Sequence, residues 1–156
     1  MKKPTCNDNL PEWARGWLAG LIDGEGTLTV KRRRRVDGSV KYEPIIVINN
    51  TSRELLAKIR EVCGCGTIVK HSERYTLMHP NWNVVWRLEI KGSFNVVTIL
   101  KQIYPFLIAK KRHAEILMKI CEKLIEAYNT KQRVDSTSIE KLVSELKELT
   151  HRGRKH

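Results

Sequence analysis

The stretch Leu18-Ala19-Gly20-Leu21-Ile22-Asp23-Gly24-Glu25-Gly26 joins an apolar helical run to two carboxylates set among glycines. Upstream, Trp13, Ala14 and Trp17 continue the spacing of Leu18, Leu21 and Ile22 that lays an apolar stripe along a helix. Asn7, Asp8 and Asn9 can cap its start and Pro11 suits its first turn, which predicts a helix over about residues 10–23, ending at Gly24. Gly16, Ala19 and Gly20 occupy neighbouring helical positions, where small side chains let a second helix approach closely. They would serve packing within one chain as well. Asp23 falls at the helix end, where its charge opposes the macrodipole, so it is expected to be held by hydrogen bonds and to have no catalytic role. Glu25 follows the helix between Gly24 and Gly26, whose backbone freedom permits close approach to a ligand.

Downstream the periodicity changes. Leu28 and Val30 alternate with Thr27, Thr29 and Lys31, and a second β-rich run extends over about 40–49, with Asp37-Gly38 as the hairpin turn. Ser52 can cap a second helix that carries Leu55, Leu56, Ile59 and Val62 and stops near Gly64. Residues 67–71 and 84–90 read as another strand pair, joined by a polar loop containing Pro80 and Asn81. Ser93 opens a third helix bearing Val96, Val97, Leu100 and Tyr104, which Pro105 interrupts, and helical texture resumes over about 109–128. Thr137 and Glu140 suggest a capping box for a last helix with Ile139, Leu142, Val143, Leu146 and Leu149. The order predicts an α+β fold: αββαββα, one antiparallel sheet covered on one face by helices, and extra C-terminal helices. The whole chain, 1–156, is expected to form a single domain, with a core over about 10–128 and a helical extension over about 129–156.

Charge indicates the class of partner. The 156 residues carry 29 Lys and Arg against 17 Asp and Glu, a net charge of +12, which favours a polyanion such as nucleic acid. Cys6, Cys63, Cys65 and Cys121 lack the spacing of a structural zinc site and read as reduced, mostly buried thiols of an intracellular protein. No run approaches the length of a membrane span and the start lacks an apolar signal core, so no membrane partner is expected. The expected location is with the DNA, whether in a prokaryotic cytoplasm or in an organelle.

The nine-residue stretch resembles the LAGLIDADG motif of homing endonucleases and their maturase relatives. Seven of nine letters match, Gly24 and Glu25 being the departures, and the element order resembles that family from about residue 10 to residue 128. The resemblance implies that two copies of the motif helix pack together, so that a chain with one copy acts as a homodimer through Gly16, Ala19 and Gly20. It implies that Glu25, with the Gly24 carbonyl, binds a divalent cation. Mg²⁺ suits such a site because it prefers oxygen ligands and keeps waters, with Ca²⁺ or Mn²⁺ as substitutes in binding. A carboxylate facing a phosphodiester makes sense with a hard cation between them, which would also make an attacking water more acidic. Ile48-Asn49-Asn50-Thr51-Ser52-Arg53 resembles the corner that carries a polar residue near the nucleophilic water, which points to Asn49 with Arg53 in support. Pro105-Phe106-Leu107-Ile108-Ala109-Lys110 resembles the segment with the active-site lysine, here Lys110. Lys111 and Arg112 adjoin it, so a shift of one residue would move that role, and the three could also form a basic helix start against phosphate.

The densest charge, Lys31-Arg32-Arg33-Arg34-Arg35, lies on the first hairpin. Strand alternation sends Lys31, Arg33 and Arg35 to one face and Arg32 and Arg34 to the other. A two-stranded ribbon fits the major groove, where arginine bonds guanine in bidentate fashion. Lys41, Tyr42, Lys70, His71, Arg74, Trp86 and Arg87 are further candidates for DNA contact, with Trp82 and Trp86 equally suited to packing. The combined expectation is cleavage of both strands of a long, pseudo-palindromic duplex. An RNA maturase, or a DNA-binding regulator that does not cut, is the alternative on the same scaffold.

Overall fold

Helix α1 (Glu12–Glu25) runs directly into strand β1 (Gly26–Arg34), with Gly26 as its C-cap. The helix continues one turn's edge beyond the expected stop at Gly24 and includes Glu25. Pro11, not an asparagine, occupies the N-cap, and no side chain caps it. Asn7 is used locally instead, accepting from the Asn9 amide at 3.0 Å. Gly26 is required by space: a β-carbon there would come within 2.8 Å of the Ile22 Cα and 2.9 Å of its carbonyl oxygen. The computed structural model that shows this describes residues 4–71, 78 and 83–152.

β1 pairs antiparallel with β2 (Val40–Asn50) through a loop in which Arg35 and Ser39 close the ladder and Gly38 takes a φ of +85°. That left-handed angle is why the turn needs glycine. Helix α2 (Arg53–Cys63) is capped as its sequence predicts, Ser52 Oγ accepting from the Leu55 amide at 3.2 Å and Gly64 closing it in the left-handed region. Strands β3 (Thr67–Lys70) and β4 (Trp86–Lys91) complete one antiparallel sheet in the order β1-β2-β4-β3. Helix α3 (Ser93–Ile103) has Gly92 as its N-cap, so Ser93 is its first residue and is buried. A 3₁₀ turn (Tyr104–Phe106) marks Pro105, and α4 (Lys111–Asn129) and α5 (Ser136–Arg152) follow. The expected capping box at α5 is replaced: Asp135 receives the Ser138 amide, and Glu140 turns to the sheet.

The even-numbered side chains of β1, Leu28 and Val30, join α1, α2, α3, α4 and α5 in one core cluster that reaches from Cys6 to Leu146. The last helix therefore belongs to the same core as the motif helix. Among the described residues, no helix packs on the other sheet face. Ile45 and Val47 point to it, buried yet outside the core cluster, with Thr29 and Thr27 beside them on β1 and Lys91 and Glu89 on β4.

The expectation for the cysteines fails. Cys6 and Cys65 are not thiols but a disulfide, with Cα atoms 4.9 Å apart. The residues lie 59 positions apart, so no spacing announces the pair. They meet because the segment before α1 is tied along the end of α2 and onto α3. The Asn7 amide donates to the Cys63 carbonyl at 2.7 Å, and Leu10 donates to Gln102 Oε1 at 2.7 Å. Cys63 and Cys121 remain free and buried, and burial pushes the Cys63 thiol up to about 12.

Gly26→Ala is expected to destabilise the fold by about 1–3 kcal/mol in denaturant unfolding, since the methyl meets backbone that cannot step aside. Gly24→Ala, where an added methyl meets nothing within 4 Å, is expected to change stability by less than about 1 kcal/mol.

Candidate catalytic centre and nucleic-acid interface

The foot of α1 separates its two acids. Asp23 turns inward: its Oδ1 accepts from the Lys110 amide at 2.9 Å and its Oδ2 from the Ile108 amide at 2.8 Å. Lys110 returns the contact, its ammonium donating to the carbonyls of Ile22 and Asp23 at 2.9 Å each. A cation is thereby set against the negative end of the helix dipole, which offsets the unfavourable position of Asp23. Burial pulls the Lys110 pKa below its ordinary value, and the Asp23 carboxylate opposes that pull. Two of the three ammonium protons are engaged, which leaves one donor for a further acceptor.

Glu25 turns outward and is exposed. Asn50 Nδ2 donates to its Oε2 at 2.8 Å, and among the described residues nothing else bonds the carboxylate, so Oε1 is open to a ligand. Gly24 adds no side chain beside it. Among the described residues no group of three or more His, Cys, Asp and Glu side chains comes together. A carboxylate held by one partner with a free oxygen suits a cation that takes few protein ligands and completes its shell with water and phosphate, as Mg²⁺ does.

Asn50 was missed by sequence reasoning, which named only Asn49, as the polar residue near the attacking water. Asn49 instead faces the open side of the sheet, where its Oδ1 accepts from Arg87 Nε at 3.2 Å. The only sequence signal was the Asn-Asn pair itself, because adjacent strand residues face opposite sides. Arg53 places its guanidinium 5.3 Å from the centre of the Trp86 ring, and Lys70 lies over the same ring at 5.8 Å. Trp86 is paired across the strands with Asn50 and Lys70 and packs against the core. Arg53, Lys70 and Trp86 therefore form a stack on the helix side, one strand from Asn50, and not on the open face.

The open face carries Thr27, Thr29, Lys31 and Arg33 of β1, Lys41 and Glu43 of β2, Arg87, Glu89 and Lys91 of β4, and Thr67 and Val69 of β3. Alternation thus holds for Lys31 and Arg33, which sit opposite Glu43 and Lys41. Arg35 lies in the turn beyond the last strand pair, and Arg34 is on the Arg32 side. Arg32 and Tyr42 depart from their expected role. Arg32 makes a 2.9 Å ion pair with Glu140 of α5. Tyr42, 6% exposed, donates its hydroxyl to the same carboxylate at 2.8 Å. Both brace the hairpin against α5. Glu89 and Lys91 were missed because only the strand register reveals that they lie among the basic residues. His71 extends the β3 ladder through its amide to the Val85 carbonyl. Arg74 lies outside the described residues.

The outer side of α1 shows Trp13, 59% exposed, with Gly16, Gly20 and Gly24 along it, and Phe106 and Ile108 beside it at 40% and 87% exposure. A β-carbon on Gly20 would meet nothing, and one on Gly16 only the Phe106 ring at 3.9 Å. Ala19 differs: it is wholly buried in the chain's own core and cannot meet a partner.

The sequence profile described as LAGLIDADG endonuclease matches residues 18–121, two thirds of the chain. The chain belongs to this family. DNA endonuclease I-CvuI of Chlorella vulgaris is 27% identical over 112 residues, 69% of this chain and 63% of that protein. Intron-encoded DNA endonuclease aI3 of Saccharomyces cerevisiae is 28% identical over 131 residues, 81% of this chain and 30% of that protein. The chain thus spans less than two thirds of the length of either relative. I-CvuI has been solved in complex with the I-CreI target in the presence of Mg, and its fold matches with a TM-score of 0.71 at 20% identity, covering 88% of this chain and 82% of that one. The archaeal intron-encoded homing endonuclease I-Vdi141I, solved with DNA, matches at 0.72 and 23% identity, covering 88% and 84%. The αββαββα architecture with its antiparallel sheet is the LAGLIDADG fold.

The two acids of the motif should separate in unfolding experiments. Asp23→Asn replaces an acceptor with a donor facing a backbone N–H and is expected to cost about 1–3 kcal/mol. Glu25→Gln is expected to leave stability within about 0.5 kcal/mol, as for an exposed substitution.

Proposed function

We propose that this chain is a site-specific homing endonuclease that acts as a homodimer and cleaves both strands of a long, pseudo-palindromic DNA duplex with a divalent metal. The observation that carries this is the Glu25 carboxylate, oriented by Asn50 with one oxygen open, at the edge of a sheet whose open face is rich in Lys and Arg and, among the described residues, carries no helix. Glu25, with the Gly24 carbonyl, would hold Mg²⁺, and Ca²⁺ or Mn²⁺ would bind the same oxygens. When bound, the cation neutralises charge at the scissile phosphate and makes a neighbouring water more acidic.

The protein groups have separate tasks in this reading. Asn50 fixes the carboxylate by donating to Oε2, and Lys110 offers its remaining proton to phosphate or water from a position held by the α1 carbonyls. Asn49, anchored by Arg87, presents its amide from the open face beside the catalytic edge. Lys31, Arg33, Lys41 and Arg87 face the duplex across the sheet, some reaching base edges and others phosphates. Two copies joined along Trp13, Gly16 and Gly20 would set two such centres about a dyad, so the target should share that symmetry. The protein would work wherever the cell keeps that DNA.

Selection from a randomised duplex library in the presence of Mg²⁺ should return one family of cleaved sites. On that site, Glu25→Gln is expected to bind as the wild type does and to cut at least a hundredfold more slowly, by roughly the upper effect of losing a group that supports a metal. Asn50→Ala should slow cutting about 10–100-fold with binding retained. Tight RNA binding without nicking under any divalent metal would instead support a maturase. Gly20→Leu is expected to convert the dimer to a monomer in sedimentation and to abolish double-strand cleavage.

A further inference from the structure

The open face of the sheet contains a carboxylate where a polyanion is expected to dock. Glu89 lies at the centre of β4, paired with Val47 of β2 and Thr67 of β3, and its side chain is only 9% exposed. Lys91 Nζ is 2.9 Å from its Oε2, while Lys31 Nζ and Arg87 Nη1 approach Oε1 at 3.6 and 3.8 Å. Burial alone would raise its pKa. The hydrogen bond from Lys91, with the charges of Lys91, Lys31 and Arg87, outweighs burial and holds the group below the ordinary carboxylate range. It is therefore a fixed negative charge beneath three cations at neutral pH. Arg87 is held from both sides, by Glu89 at one nitrogen and by Asn49 at Nε.

A buried carboxylate of this kind is not demanded by the fold, since an apolar side chain of similar volume over Ile45 and Val47 would serve as well or better. Its effect on DNA binding is specific. Every duplex offers phosphates to Lys31, Arg87 and Lys91, and a flexible cation takes them without regard to sequence. A cation held on Glu89 is withdrawn from that competition, yet keeps N–H donors that the carboxylate does not use and that base edges can take. We propose that Glu89 is a specificity-determining residue: it stands in for phosphate, holds Lys31, Arg87 and Lys91 in the geometry that reads the target, and weakens binding to all other duplexes. This inference rests on the DNA-binding reading of the same face.

The test measures dissociation constants across a salt series for two probes: a mixed-sequence duplex, and the duplex selected by the wild-type protein. In Glu89→Gln, affinity for the mixed-sequence duplex is expected to rise about tenfold while affinity for the selected site rises less, so their ratio falls. The log–log salt slope on the mixed-sequence duplex should steepen by about one unit for each cation released to phosphate. Unchanged mixed-sequence affinity and slope in a folded Glu89→Gln protein would overturn the proposal. Should that variant fail to fold, Lys91→Met in the wild-type background decides. A sequestered Lys91 contributes no phosphate contact, so the mixed-sequence slope should hold constant. A slope shallower by about 0.9 would mean Lys91 already contacts phosphate, against the proposal. Wild-type protein that selects no duplex from the library and does not bind the mixed-sequence one would overturn the DNA reading as well, which distinguishes the two failures.

Discussion

The reciprocal clamp between Asp23 and Lys110 is the contact on which the site depends. A helix that ends against a sheet leaves carbonyl oxygens without partners, and an acid at that end would add charge of the wrong sign. Here the acid takes the amides of Ile108 and Lys110, and the Lys110 ammonium takes the carbonyls of Ile22 and Asp23. Each group resolves the problem posed by the other. The clamp fastens α1 to the turn before α4, and it fixes the direction in which the chain leaves the helix. Glu25 therefore points out of the molecule, and Gly26 passes within van der Waals range of Ile22 to begin β1. Loosening the clamp would move the carboxylate without touching it.

From that corner the sheet divides labour between its faces. The helix side carries Leu28, Val30, Ile46, Ile48, Leu88 and Ile90, and it also absorbs polar groups that brace the periphery. Tyr42 and Arg32 both bond Glu140, which links the middle of the first hairpin to the last helix. The hairpin that would enter a DNA groove is thus supported from behind, which keeps its outward side chains in register. On the open side, Ile45 and Val47 are buried between their strand neighbours, which include Lys91 and Glu89. This face is apolar at its floor and charged at its surface, and Glu89 organises the charges.

The net charge of +12 would drive any such surface onto nucleic acid without discrimination. Acidic residues inside the basic field moderate it. Glu43 faces Lys31 and Glu89 holds three cations, while Glu140 withdraws Arg32 to the opposite side. Among the described residues, fewer basic side chains are left without an acidic partner on this face than the sequence count suggests.

The amino-acid sequence by itself determined the element order, the motif helix with its two acids, the caps at Ser52 and Gly64, the Asp37-Gly38 turn and the family. These are local matters: helical and strand periods, turn chemistry and a short motif are written within a few residues of one another. The tertiary structure alone decided which side chains meet across the fold. It put Asn50 on Glu25, sent Arg32 and Tyr42 to α5, and stacked Arg53 and Lys70 on Trp86. It buried Ala19 in its own chain, joined Cys6 to Cys65 across 59 positions, and set Glu89 beneath three cations. The reason is physical: strand register and helix packing bring together residues far apart in sequence, and a shift of one position reverses the face a side chain presents.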